Sequence, residues 1–508
     1  MSRTYRHIAI VAGLIVIVIS YPVPSQALPA LYDWQQFNFD VQHSGNNVRE
    51  AQITLDNVSQ LHRLFQMRLQ GTNLAVADGA PVYLNGVQTS SGPRNMVFVT
   101  TMAGDIIAVD AVTGQQLWQH GNPAPTACLV NGNGVPCYTT SDPAIDPNKQ
   151  FVYSYGLDGY VHMYKVADGT EIVGNGWPQL ATLKSINEKG SAALSVVTDR
   201  SGNRYLYVVN SGYPGDGGDY QGHLTVINLA TGVQHVFNAV CAEDADVHFP
   251  LGGPTDCDTV QAAIWGRPGV IYDPDTEKIY FATGNGSFDP TKYYWGDTVL
   301  ALRPDGSGTA AGVPLDSYTP ANFDSLQNDD EDLGSSSPAI LPTVNGHHYA
   351  VQAGKDEAVR IIDLDNLSGK NSAGNLGGEL VNSYYKLPLN EPILTQPAVW
   401  TNPTDGTTWL FITAIGSMMG LPINANEDGW GTPWVVNTGG CASPIVANGV
   451  LFCAGADQIK AFNPVTGAEV WHDQIGTIHW QSPIVVNGVL YITDNSTQLS
   501  AYVVDTSS

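Results

Sequence analysis

The chain has 508 residues, 47 of them acidic and 21 basic, for a net charge of −26 at pH 7. Such a balance excludes nucleic acid and anionic membrane surfaces as partners, because Lys and Arg are what neutralise them. It fits solubility in an extracytoplasmic space and is compatible with cation binding.

The first feature in chain order is a secretion signal. Arg3 and Arg6 precede the apolar run Ile8 to Ile19, and Ser25-Gln26-Ala27 offers small residues where a signal peptidase cuts. The run is too short for a comfortable membrane span. These residues predict a signal peptide over 1–27, a mature domain over 28–508 with no membrane span, and a periplasmic or secreted location. No Cys lies near the cleavage point, so no lipid anchor is expected there.

The stretch LDNVSQLHRLFQMRL (Leu55 to Leu69) reads as an orphan strand. It is followed by AVDAVTGQQLW (Ala108 to Trp118), which returns near the end of the chain as AFNPVTGAEVW (Ala461 to Trp471). Each copy closes a short apolar run. Asp110 or Asn463 starts a turn by bonding nearby amides, and Gly114 or Gly467 takes the positive φ that finishes it. Trp118 and Trp471 then offer a large flat surface to a neighbouring unit. Degenerate copies fill the interval, among them YSYGLDGYVHMYKVADG, HLTVINLATG, TVLALRPDG, VRIIDLDNLSG and GLPINANEDG. The last unit ends in QLSAYVVD, with no turn or Trp after it.

A period of about 40 residues or more, with one Trp per unit, is the signature of a β-propeller. The count is roughly eight units of four antiparallel strands. One blade cannot bury both faces alone, and the orphan first strand can complete the last blade and close the ring. The predicted fold is all-β: an eight-bladed propeller with Trp-docking repeats.

Six Cys in a secreted chain suggest disulfides. Cys128 pairs with Cys137 inside one Gly/Pro-rich loop, and Cys241 with Cys257 around another. Cys441 and Cys453 are a different case. If Asn448-Gly449 is a hairpin turn, Cys453 faces Pro444 rather than Cys441, which makes a long reach for a bridge.

Polar chemistry gathers in the middle inserts. Asn285 ends the strand IYFATGN, an acidic run spans Asp324 to Ser337, and Lys355 lies just beyond a strand in QAGKDEAVRIIDLDN. At strand ends of adjacent blades these residues converge on one channel mouth. Amide oxygens and carboxylates suit a hard cation such as calcium, and a carboxylate beside a cation can act as a general base. YPGDGGDY (Tyr213 to Tyr220) is a second cation-binding candidate, and His479-Trp480 lies near the same mouth. Each of these is individually an ordinary turn, surface or packing residue; their order on successive blades is what singles them out.

The mature chain resembles the PQQ-repeat propellers, through its Trp-docking repeat and the opening DWQQFNFDVQHSGNN. That family includes quinoprotein alcohol dehydrogenases, which bind pyrroloquinoline quinone (PQQ) and calcium or a lanthanide. It also includes non-enzymatic envelope assembly factors. The dehydrogenase resemblance makes Asn285, at the end of YDPDTEKIYFATGN, a metal ligand. It makes Asp330 the catalytic base and a metal ligand, with Asp332 at the place of the extra acid of lanthanide-dependent members. Lys355 resembles the basic residue that contacts the quinone, and Trp265 lies near the stacking Trp. The departures are three. Single cysteines, Cys128 and Cys137, replace an adjacent Cys-Cys pair. NSGYPGDGGDYQGHL has no ligand Glu, and Arg267 stands where the stacking Trp is expected. The resemblance implies an oxidoreductase acting on an alcohol or sugar, and the departures leave a non-catalytic scaffold that binds an envelope protein as the alternative.

Overall fold

The computed structural model describes residues 30–505, apart from 72–74, 131–132, 215, 251–256, 380–383, 390, 425 and 427–428. The signal-peptide segment 1–27 lies outside the described residues. Among the described residues no helix is long and apolar enough to cross a membrane.

Eight antiparallel sheets follow one another along the chain and form an eight-bladed β-propeller. The first blade is Val82–Thr89, Gly92–Thr100, Ile106–Asp110 and Gln116–His120. Blades two to seven repeat this up-and-down order, and blade eight begins with Ile484–Val486, Val489–Thr493 and Gln498–Val503. Its outermost strand is His62–Arg68, antiparallel to Gln498–Val503, so the orphan strand closes the ring as its sequence predicted. Closure gives the last blade its fourth strand. One buried cluster therefore mixes residues from the two ends of the chain, among them Ile53, Leu69, Val97, Phe452 and Tyr502.

The repeat residues hold blade to blade. The Trp118 indole donates to the Val166 carbonyl of the next blade (3.2 Å) and lies over Gly169, where a Cβ would sit 2.6 Å from the ring. Trp434 does the same with the Pro464 carbonyl (3.0 Å) and Gly467. Trp471 donates to Leu61 at the entry of the closing strand (3.0 Å). On that strand Phe65 takes the place of a docking Trp and covers Gly114 of blade one. Only glycine fits beneath these rings, and its positive φ makes the turn.

The segment 33–47 crosses one end of the channel. Trp34 pairs with Tyr83 of blade one, and Gln35 O accepts from Ile145 N of blade two (2.9 Å). Gln36 Oε1 accepts from Val196 N of blade three (2.9 Å), and Val41 O from Tyr272 N of blade four (3.0 Å). Ser44 and Gly45 bond blades six and seven, and Asn47 reaches Val485 O of blade eight. Phe37 is fully buried at the centre. The open end is therefore the opposite one.

All three disulfides form. The reach anticipated for Cys441–Cys453 is not too long. Asn448-Gly449 does make the hairpin turn, with Ala447 opposite Val450. Beyond the paired strand the chain turns back, Ala442 N bonding Ala454 O, and the two Cα atoms come to 5.8 Å.

Candidate functional site

A cavity of about 340 Å³ opens at the end opposite the crossing segment. Its walls come from six groups of residues, some between blades and some in loops within them. Tyr138 and Thr140 follow blade one, Lys189 and Ser191 precede blade three, and Ser211, Tyr213, Asp216 and Tyr220 follow a blade-three strand. Trp265 and Arg267 precede blade four, Asp330, Asp332 and Lys355 belong to the blade-five side, and His479 and Trp480 precede blade eight. Trp265, Asp330, Asp332 and Lys355, spread over 90 residues of sequence, are thus brought together, with Asn285 beside them.

The acidic run positions its two aspartates by a local device the sequence did not reveal. Phe323–Asp329 is a short α-helix, anchored by buried Phe323 and Leu326 one turn apart. Asp330 caps its C-terminus in the left-handed conformation, φ 55°. That bend sends Asp330 outward, its side chain 64% exposed, and Asp332 inward, 6% exposed. Asp332 Oδ1 accepts from the Asn285 N–H (2.6 Å) and its Oδ2 pairs with Lys355. A Cβ at Gly284 would lie 2.4 Å from Asp332 Oδ1, so this approach needs glycine there.

Lys355 bridges the two acids, its Nζ 3.1 Å from Asp330 Oδ1 and in contact with Asp332, while standing 5.4 Å from the Trp265 ring centre. Burial pushes the Asp332 carboxyl up, and Lys355 pulls against that shift. Burial would likewise lower the Lys355 ammonium, but Asp332 and Asp330 outweigh it and hold it above its usual value. Beneath them lies Asp297, fully buried and pushed well up by burial and then by Asp332. Its Oδ1 accepts from Leu333 N (2.9 Å), and its Oδ2 has no partner among the described residues.

The floor is a buried ion pair. Arg267 donates to Asp142 (2.9 Å) and to the carbonyls of Thr140 and Ser191 (2.7 Å each). It lies between Phe37 of the crossing segment and Trp480, 5.9 Å from each ring centre. Burial pushes the Asp142 carboxyl up to about 7, against the pull of Arg267. The rim is aromatic. Tyr138 and Tyr213 meet edge to face at 5.5 Å, and the Cys128–Cys137 bridge packs against Tyr213. Lys189 projects between them, 4.2 Å from the Tyr138 ring centre.

The sequence profile of the family described as the glucose, ethanol and alcohol dehydrogenase β-propeller domain matches residues 34–298, more than half of the chain. The chain belongs to this PQQ-repeat family. No curated protein sequence matches it. Among solved structures it is similar to a europium-containing methanol dehydrogenase, at TM-score 0.62 and 16% identity over 91% of this chain and 89% of that one. A quinohemoprotein alcohol dehydrogenase from Pseudomonas putida HK5 gives TM-score 0.60 and 16% identity, over 93% and 80% of the two chains. The corresponding enzyme from Comamonas testosteroni gives 0.58 and 16%, over 94% and 81%. At this identity the likeness speaks for the propeller and not for the chemistry.

Two site residues carried no sequence signal. Lys189, in NEKGSAAL, is a single lysine before a glycine, and Tyr138 reads as the neighbour of a cysteine. What marks them is that the channel wall is incomplete without them. The YPGDGGDY loop turns inward, with the Tyr220 hydroxyl donating to Asp216 (2.6 Å) and both residues on the wall. Among the described residues no three His, Cys, Asp or Glu side chains form a group that could hold a metal ion.

Proposed function

We propose that this PQQ-repeat propeller is a quinoprotein oxidoreductase that oxidises a small alcohol or sugar in the cavity. The observation that carries the reading is the convergence on one channel mouth of acids, cations and aromatic rings from non-adjacent segments. A flat aromatic polyanion such as PQQ suits the aromatic walls of Trp265, Trp480 and Tyr138 and the cations Arg267 and Lys355. Bound there, the quinone would supply the acceptor for a hydride, and so for both electrons, from the alcohol carbon.

Asp330 is the group assigned to take the hydroxyl proton. It is the exposed acid of the pair, and Lys355 fixes its direction from 3.1 Å. Lys355, kept charged by both aspartates, would also face the cofactor. Asn285, Asp330 and Asp332 are the oxygen donors assigned to a calcium or lanthanide ion, which would act as a Lewis acid. In the structure Lys355 lies against both carboxylates, so a cation must displace its ammonium. Lys355→Met is therefore expected to tighten lanthanum binding by about tenfold or more. An oxidising compartment, periplasmic or secreted, goes with this reading, and the three disulfides support it.

The second reading is a non-catalytic propeller that binds an envelope protein. The observation in its favour is Arg267, which stands where the resemblance expects a stacking Trp and is buried and ion-paired with Asp142.

Calorimetry of PQQ with the purified mature protein, with calcium and then lanthanum, decides between them. Cation-dependent binding that is lost in Asn285→Ala, and dye-linked alcohol oxidation that is lost in a folded Asp330→Ala, support the enzyme. Absence of PQQ binding under every condition turns the search to protein partners.

A further inference from the structure

Among the described residues Lys189 stands apart from the other buried cations. Lys184, fully buried five residues earlier, bonds Asp219 (2.8 Å) and Gln221. Arg267 bonds Asp142, Arg360 bonds Asp356, and Lys355 bonds two aspartates. Lys189 is 6% exposed, lines the cavity, and has no carboxylate within ion-pair distance among the described residues. Asp78 is the acid that acts on it, and Asp78 is already engaged by the His479 ring (2.7 Å) and the Trp480 N–H (3.1 Å). The rings of Tyr138 and Tyr213 flank the amine, at 4.2 and 5.8 Å. Arg267 opposes a second charge close by.

A desolvated lysine beside another cation is the arrangement that makes an amine nucleophilic. Burial, and then the Arg267 charge, hold Lys189 down at about 7, with Asp78 opposing them. The strand Glu188–Lys189 fixes its base, with Lys189 in register opposite Ser211, whose hydroxyl bonds Ser191 (2.5 Å). The amine is thus held on a sheet, faces an open cavity, and lacks the partner that a purely structural lysine has.

We propose that Lys189 is a carbonyl-capturing residue, whose Nζ condenses with an aldehyde entering the cavity to form a reversible imine. The nitrogen lone pair adds to the carbonyl carbon. The carbonyl oxygen leaves as water with the two protons of the neutral amine. No electrons are transferred and nothing but the aldehyde is consumed. The inference does not depend on the oxidation proposed above, although an aldehyde is what oxidation of a primary alcohol yields.

The test is reductive trapping on the full mature chain without PQQ. The protein is treated at pH 7 with butanal or benzaldehyde and sodium cyanoborohydride, which spares disulfides, and modified lysines are mapped by peptide mass spectrometry. Lys149 and Lys386, whose side chains are 51% and 52% exposed, serve as internal references. Because an ordinary lysine is neutral in only about one part in three thousand at pH 7, Lys189 should react at least about tenfold faster than either reference. Lys189→Met should remove the fast site and leave the slow ones. Equal rates at Lys189 and the references, or no modification of Lys189 by either aldehyde, overturns the proposal. PQQ calorimetry on the same preparation is a separate readout, so either idea can fail while the other stands.

Discussion

The rim of the propeller and its open mouth are built on opposite terms. At the rim, Trp118, Trp434 and Trp471 each stack on or beside a neighbouring turn and donate their indole N–H to a carbonyl. The docking recurs there, and each of these three indole donors is satisfied. At the mouth, charged groups are buried, and Arg267 Nε, Asp297 Oδ2 and Lys189 Nζ lack partners among the described residues. Buried unpartnered polar groups cost stability, so a fold keeps them where something else needs them.

The sharpest way to break that contrast is at Arg267. Arg267→Leu leaves Asp142 buried without its cation, and the expected loss is about 3–5 kcal/mol. The double variant Arg267→Leu/Asp142→Leu should recover a good part of it, because two apolar residues need no partner. Thermal unfolding of the two variants checks this. A single variant as stable as the parent would mean that the pair is not buried as described.

The rim should answer more mildly. Trp434→Ala removes a half-buried ring and its bond to Pro464, and about 2–3 kcal/mol is expected. At Gly467 (φ 70°) the same dock is probed from beneath, since a Cβ would meet the Trp434 ring at 2.7 Å. Gly406 has a similar φ of 75° with nothing within 4 Å. Gly406→Ala should therefore cost only the left-handed strain of about 1–2 kcal/mol, and Gly467→Ala measurably more. Equal losses in urea titrations of the two variants would remove steric docking from the account.

The same contrast explains what was legible in the sequence. Asp110, Gly114 and Trp118 do a job that Asn463, Gly467 and Trp471 repeat, so their spacing recurs, and ring closure followed from an orphan strand and a missing last turn. Asn285 and Lys355 each stand just beyond a strand on neighbouring blades, which placed them in the sequence at one mouth, and the structure gathers them with Asp330, Asp332 and Trp265. The helix Phe323–Asp329 was hidden, because a seven-residue acidic segment with two apolar anchors has little helical signal of its own. Lys189 and Tyr138 were hidden for a different reason. Nothing local marks a lysine as unpaired, since pairing is decided by residues such as Asp78 and His479, far away in the chain.

The smallest expected effect tests that last point through pH. The ordinary value for Lys189 is 10.5, and in the folded protein it is lowered to about 7. As pH falls, the unfolded chain takes up this proton first, so between about 7 and 10.5 the unfolded state binds more protons and stability rises with pH. Below about 7 both states are charged, and the full cost of the buried ammonium is felt. Lys189→Met should therefore raise the melting temperature most at pH 6, by at least about 1 kcal/mol of stability, and the gain should fade towards pH 10. A gain that is flat across this range would assign it to better packing of the methionine. A loss at pH 6 would mean that the ammonium has a partner in solution, and the amine at the mouth would then be one more paired cation like Lys184, Arg267 and Arg360.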